Sequence, residues 1–286
     1  MKQNLLQQMT ERMPDFSKGQ RQIAQFILQH YDRAAFLTAS KLGALVEVSE
    51  STVVRFANEL GFDGYPEMQR ALRELTRTNL TAAQRMAVAD NLLDKDTVLD
   101  KVLLGDAEKI RHTLDAINRD AFHAAVEKIV TARNIYILGV RSAASLADFL
   151  TFNFRMMFDN VHPVSGATGS EIFEQLLDIG PEDVLIAISF PRYSKRTVRA
   201  VEFAHNAGAD VVALTDSEAS PLARDSDQLL TAHSDMASFV DSLVAPLSII
   251  NAMVASVSLH KHDEVTMRLH RLEQIWDEYD VYDKNN

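Results

Sequence analysis

The pattern of apolar residues changes character near residue 130, and that change constrains the fold more than any other feature of the sequence. Before it, apolar residues recur at helical spacing, as in Ile23, Phe26, Ile27 and Tyr31, and blocks of strand character are scarce. From residue 134 onward, short apolar runs alternate with amphipathic stretches of helical length. The runs cover 134–139, 161–164, 183–189, 210–215 and 228–232, and helices are expected at 143–157, 169–179, 195–207 and 239–260. Continuous apolar runs separated by helices predict a parallel sheet covered on both faces. The expected fold class is therefore α plus α/β, an all-helical first part followed by a five-stranded parallel α/β domain. Residues 81–118 read as helical connecting material, with a charged face through Asp94, Lys95, Asp96 and Lys101.

A chain of 286 residues suffices for one large or two medium domains. It has no cysteine, which excludes disulfide frameworks, thiolate nucleophiles and cysteine zinc sites. No apolar run approaches the roughly 20 residues of a bilayer span, and the N-terminus lacks a signal peptide's apolar core. A soluble cytoplasmic protein without a membrane partner is expected. The net charge of -11 is unevenly spread. Residues 1–80 carry 10 Lys and Arg against 9 Asp and Glu, whereas the remainder carries 19 against 31. Salt screens charge over about 8 Å, so an acidic second part is compatible with nucleic-acid binding by the first.

Segment 38–62 reads TASKLGALVEVSESTVVRFANELGF. Thr38 is placed to cap a short helix carrying Leu42, Leu45 and Val46 that breaks near Glu47 and Val48. Ser49 then caps a second helix, its hydroxyl accepting an orphan backbone N–H. Val53, Phe56, Ala57 and Leu60 form one core stripe at i, i+3, i+4, i+7, leaving Ser51, Arg55 and Asn58 on the opposite face with Thr52 and Glu59 at its edges. Gly61 ends the helix and 64–66 forms a turn. Two short helices joined by a tight turn, the second small and polar at its start, match a helix-turn-helix. Small hydroxyl residues permit close approach, free N–H groups favour phosphate, and Arg55 reaches phosphate or the O6/N7 edge of guanine. An ordinary helical hairpin with a solvated polar face fits the periodicity equally well.

Two loops of the second part carry polar residues at strand ends. The first strand runs into Gly139 to Ser142; positions 140–145 hold no further glycine, which argues against a dinucleotide-binding turn. The third strand runs into Ser189, Arg192, Tyr193, Ser194, Lys195 and Arg196. A helix starting near Ser194 would aim free N–H groups at an anion, and the cations and hydroxyls beside it suit a phosphate monoester. A capped helix with a solvated basic first turn is the bland alternative. His260 and His262 stand apart from any carboxylate set, so no metal and no cofactor are expected.

The run VSESTVVRFANELGFDGYPEMQRAL resembles the signature of the RpiR family of bacterial transcriptional regulators, matching it at Val48, Ser49, Arg55, Phe56, Gly61 and Tyr65 among others. Glu47 departs from it, standing where the family often has glycine; glutamate accommodates left-handed geometry poorly, so a differently shaped turn is expected. Residues 120–262 resemble the sugar isomerase (SIS) domain of such regulators, a parallel sheet of flavodoxin-like order. Its loops run Gly-x-x-Ser and Ser-x-Ser-Gly-x-Thr. Gly139, Ser142, Ser189 and Ser194 match, while Pro191 and Arg192 replace the central Ser-Gly. The resemblance implies a helix-turn-helix domain over 1–77, a helical connector over 78–119 and an SIS domain over 120–286. It implies DNA contacts at Ser51, Thr52 and Arg55, with Ser49 and Asn58 beside them. It implies a phosphorylated sugar effector at Gly139, Ser142, Ser189, Arg192, Tyr193 and Ser194. The expected partners are double-stranded operator DNA and further copies of the chain, as homodimer or homotetramer; the sign of regulation stays open. The rival reading is a phosphosugar isomerase with a helical extension, for which Glu171, Glu174, Asp241 and His205 are conceivable bases outside any recognisable catalytic motif. A third is an SIS domain used only to oligomerise.

Overall fold

The computed structural model describes residues 5–76, 81, 83–86, 89, 95–166, 168–236 and 238–282. The chain divides into two compact units, residues 1–101 with 236–240 and residues 102–235 with 241–286.

The first unit contains α1 (Leu5–Glu11), α2 (Lys18–Gln29), α3 (Tyr31–Ala34), α4 (Ala39–Leu45), α5 (Glu50–Glu59) and α6 (Tyr65–Thr76). Ser17 starts α2 with a reciprocal cap: its side chain accepts the Gln20 N–H while the Gln20 side chain accepts its own. Apolar stripes from these helices meet in one core, where Met9, Ile23, Ile27, Leu42, Phe56 and Met68 are fully buried. Helix α6 clamps the chain entering α4. The Tyr65 hydroxyl and the Gln69 amide both donate to the Leu37 carbonyl, at 2.7 and 2.6 Å, and Arg73 Nε donates to the Ala35 carbonyl at 3.1 Å. Burial pushes the Tyr65 phenol up to about 12, against the opposing pull of Arg73.

Helix α7 (Val98–Ala116) contains the division between the units, and α8 (Arg119–Thr131) leads into the sheet. Of the charged face expected along the connector, Asp94 lies outside the described residues; Lys95, Asp96 and Lys101 are exposed. The strands are β1 (Ile135–Gly139), β2 (Val161–Val164), β3 (Val184–Ile188), β4 (Asp210–Thr215) and β5 (Gln228–Thr231), all parallel in the order β2-β1-β3-β4-β5. Period-two alternation sends Ile135 and Ile137 to one core, shared with α8, α9 (Ala144–Met157) and α12 (Val244–His260). It sends Tyr136 and Leu138 to the other, under α10 (Gly169–Gln175) and α11 (Lys195–Asn206). Helix α13 (His262–Glu278) follows. Among the described residues no single helix is long and apolar enough to cross a membrane.

Two helices are shorter than the sequence pattern predicts. Helix α12 begins at Val244 rather than 239, because Pro246 lacks an N–H and its ring would strike a carbonyl of the preceding turn unless it sits in the first turn. Helix α10 ends at Gln175 rather than 179. Its last amides turn to i−3 carbonyls, Leu177 to Glu174 and Ile179 to Leu176, ahead of Gly180 and Pro181. At the amino ends of the strands, opposite the strand-end loops, the buried Asp183 accepts from Arg133 (2.9 and 2.6 Å), Asn134 (2.9 Å) and the Gly180 N–H (2.9 Å). Burial alone would raise its carboxyl, but these donors outweigh it and hold the group below the usual carboxylate range.

Candidate functional site

In the first unit α4 and α5 meet through a four-residue turn, 46–49. Thr38 accepts the Lys41 N–H at 3.2 Å to start α4, and the Val48 N–H returns to the Gly43 carbonyl at 2.9 Å. A Cβ at Gly43 would stand 2.8 Å from the Val48 oxygen, so only glycine lets the turn close. Glu47 adopts φ +57°. The turn is therefore not reshaped as expected: glutamate takes the left-handed conformation that glycine would supply, held there by the capped helices on either side.

Ser49 caps α5 as the sequence implies, accepting the Thr52 N–H at 3.2 Å, and its oxygen lies 2.9 Å from Ser51 Oγ and 2.8 Å from Thr52 Oγ1. Val53, Phe56, Ala57 and Leu60 are buried, and Ser51, Arg55 and Asn58 are exposed. Arg55 folds toward the start of the helix, donating from Nε to the Ser51 carbonyl (3.3 Å) and from Nη2 to Thr52 Oγ1 (3.5 Å). Asn58 accepts the Gly64 N–H at 3.0 Å, so one of its polar atoms is spent on the turn after α5. An open depression of about 570 Å³ is lined by Ser17, Gln20, Thr52, Arg55, Asn58 and Glu59. Sequence reasoning placed Glu59 at the edge of this face and missed Ser17 and Gln20. Ser17 and Gln20 reach the depression from α2, and no local pattern in α5 announces them.

In the second unit the strand-end loops flank the point where chain order reverses, with β1 between β2 and β3. Gly139 pairs with Ile188, so the loops carrying Ser142 and Ser189 leave the sheet side by side. A Cβ at Gly139 would stand 2.4 Å from the Ala143 oxygen and 2.8 Å from Ala147 Cβ; glycine allows α9 to close on β1. Ser142 is exposed in a 3₁₀ turn, and Ser189 is buried with its N–H on the Leu214 carbonyl at 3.1 Å. Arg192, the residue replacing the loop glycine of the resemblance, is exposed at φ +64°. Like Glu47, it adopts the left-handed conformation that glycine accommodates most readily. Ser194 caps α11, accepting the Arg196 N–H at 3.2 Å, while Arg196 Nη1 donates to the Gly166 carbonyl at 3.5 Å. Tyr193 donates its hydroxyl to Asp216 Oδ1 at 2.6 Å. Asp216 follows β4 and carries no sequence signal, because only the fold brings it beside the β3 loop. His260 Nε2 lies 3.2 Å from Glu127 Oε1, and no group of three or more ligating side chains suited to a metal ion occurs among the described residues.

The fold and these sites define a helix-turn-helix DNA-binding domain joined to an SIS domain. Residues 3–78 match the model of the helix-turn-helix domain of the rpiR family, and residues 128–256 match that of the SIS domain. The chain belongs to the RpiR family of helix-turn-helix transcriptional regulators. It is 24% identical over 280 residues to the transcriptional regulator HexR of Pseudomonas aeruginosa, covering 95% of each chain. To HexR of Escherichia coli it is 23% identical over 283 residues, covering 95% of this chain and 93% of that one. The sugar isomerase domain of an RpiR transcription factor from Sphaerobacter thermophilus superposes with a TM-score of 0.59 at 27% identity, over 62% of this chain and 99% of that one. The Vibrio vulnificus NanR protein complexed with ManNAc-6P gives 0.57 at 21% identity, over 96% and 99%, a likeness of fold.

Proposed function

We propose that this transcriptional regulator reads a near-palindromic operator of a carbohydrate-metabolism operon through α5 and answers to a phosphorylated sugar. Residues 1–77 form the DNA-binding domain, 78–119 the connector and 120–286 the sensing domain of a cytoplasmic homodimer or homotetramer. In the DNA-binding domain Ser51, Thr52 and Arg55 face the operator, Ser49 fixes the start of the helix, and Asn58 divides its polar atoms between the turn and the operator face. In the sensor Gly139 admits the close loop, Ser142, Ser189 and Ser194 hydrogen-bond the phosphate, and Arg192 adds a charge. Tyr193 sits on the sugar side of the pocket.

The observation that carries this reading is the strand order: β1 and β3 are neighbours, and both serine-bearing loops leave the sheet at the reversal point. The structural likeness to NanR, which is complexed with ManNAc-6P, supports a phosphorylated sugar as the ligand class. Charge-assisted hydrogen bonds of this kind contribute about 1.5–3 kcal/mol each.

A thermal-shift panel of sugar phosphates against the whole chain identifies the effector, since a ligand at 100 times its Kd adds about 2.7 kcal/mol. Operator titrations on Ser189→Ala/Ser194→Ala then test the site. The double variant should bind operator as wild type does without ligand and lose the effector response. A response at unchanged effector concentration removes these serines from the pocket.

A further inference from the structure

The arginine of α5 shares its helix with a carboxylate one turn further on. Arg55 and Glu59 stand at i, i+4, a spacing at which opposite charges on a helix pair, and both line the same depression. Such a pair would draw the guanidinium toward the end of α5 and neutralise it. The observed contacts differ. Glu59 is held by Arg12, whose Nη2 lies 2.7 Å from Oε1 while Nη1 donates to the Glu59 main-chain carbonyl at 2.5 Å. Gln8, on α1, donates its amide to the Leu60 carbonyl at 3.2 Å. Two side chains of the N-terminal segment thus hold the last carbonyls of α5, where a cation also suits the helix dipole. Arg55 turns the other way, toward Ser51 and Thr52.

We propose that Arg12 is a positioning residue for DNA recognition: by occupying Glu59 it withholds that carboxylate from Arg55. The proposal rests on the reading of Arg55 as a DNA contact. The Arg12 and Glu59 side chains are 34% and 49% exposed, so their ion pair adds little to stability. Its consequence is a choice of partner. Without Arg12, Glu59 pairs with Arg55 instead.

The test uses the full chain and a labelled duplex that the wild type has selected from a random-sequence pool, with binding read by fluorescence anisotropy and folding by circular dichroism. Arg12→Ala should weaken binding about two- to threefold at low salt, the scale of the exposed i,i+4 pair that Arg55 must break to reach DNA. Adding Glu59→Gln should restore the wild-type affinity, because the competing carboxylate is gone. The double variant has no Arg12 clamp, so a purely structural role would leave it as weak as Arg12→Ala. That result overturns the proposal, as does wild-type affinity in Arg12→Ala alone. The underlying reading fails separately: if Arg55→Ala binds as wild type does, Arg55 is not a contact. In an Arg55→Ala background, Arg12→Ala should add no further loss, since its effect acts through the missing side chain.

Discussion

At the scale of single residues, two side chains hold backbone conformations that the sequence pattern assigns to glycine. Glu47 lies at φ +57° in the turn before α5, and Arg192 at φ +64° in the loop before α11. A non-glycine residue in the left-handed region costs roughly 1–2 kcal/mol. Glycine relieves that strain but loosens the unfolded chain by about 0.4–1 kcal/mol. Glu47→Gly should therefore stabilise the chain by about 0.5–1 kcal/mol, measured as a higher denaturation midpoint. The same change removes an exposed negative charge two residues from the cap of α5, so operator affinity should rise and its salt dependence steepen. A variant of lower stability with unchanged affinity would show that the glutamate makes a compensating contact in the turn. Sequence reasoning identified Glu47 as the odd residue and drew the opposite consequence. Local propensity disfavours this conformation, whereas the caps at Thr38 and Ser49 and the bond from Val48 to Gly43 fix the turn regardless.

Among elements, the strands and the caps were the most legible. The strand cores are continuous apolar runs buried on both faces, as in β1 and β3, and such runs stand out without tertiary information. Ser49 and Ser194 open their helices where the hydroxyls stand in the sequence. Contacts between elements were not legible. Neither Asp216 beside Tyr193 nor Arg12 on Glu59 has a local pattern, since each pair is joined by the fold across many residues. The clamp of α6 on the entry to α4 belongs to the same class, and it makes a pH dependence. The Tyr65 phenol is raised from 10.0 to about 12, chiefly by burial. A group whose folded value is raised adds stability in its protonated form; that stability is complete below the unfolded value and lost as pH climbs through the folded one. Two units correspond to about 2–3 kcal/mol. Denaturant unfolding of the wild type should weaken between about pH 10 and pH 12. Tyr65→Phe should cost about 1 kcal/mol at neutral pH, from the lost bond to Leu37, and flatten that alkaline slope. An equal slope in both proteins would assign the titration to another group.

For the whole molecule, the proposed operator recognition favours two copies acting together. A single helix-turn-helix module presents one short helix to the major groove, and small modules bury about 600–1,000 Å² on DNA. Genomic DNA offers about 10⁶–10⁹ competing sites, so discrimination needs two half-sites read together. In two-fold assemblies the half-sites lie about 34–36 Å apart, or a multiple of that, on one face of the duplex. In the proposed dimer each copy would supply its own Ser51, Thr52 and Arg55, and the two sets of contacts would add in free energy. Light scattering at micromolar concentration should report at least twice the 32.0 kDa of one chain. Titration of a selected duplex should saturate at two chains per palindrome. Moving the half-sites apart by about half a helical turn should abolish tight binding, because the second α5 then faces away from its groove. Tight binding of one 32.0 kDa chain to an isolated half-site, unchanged by that displacement, would refute the dimeric reading.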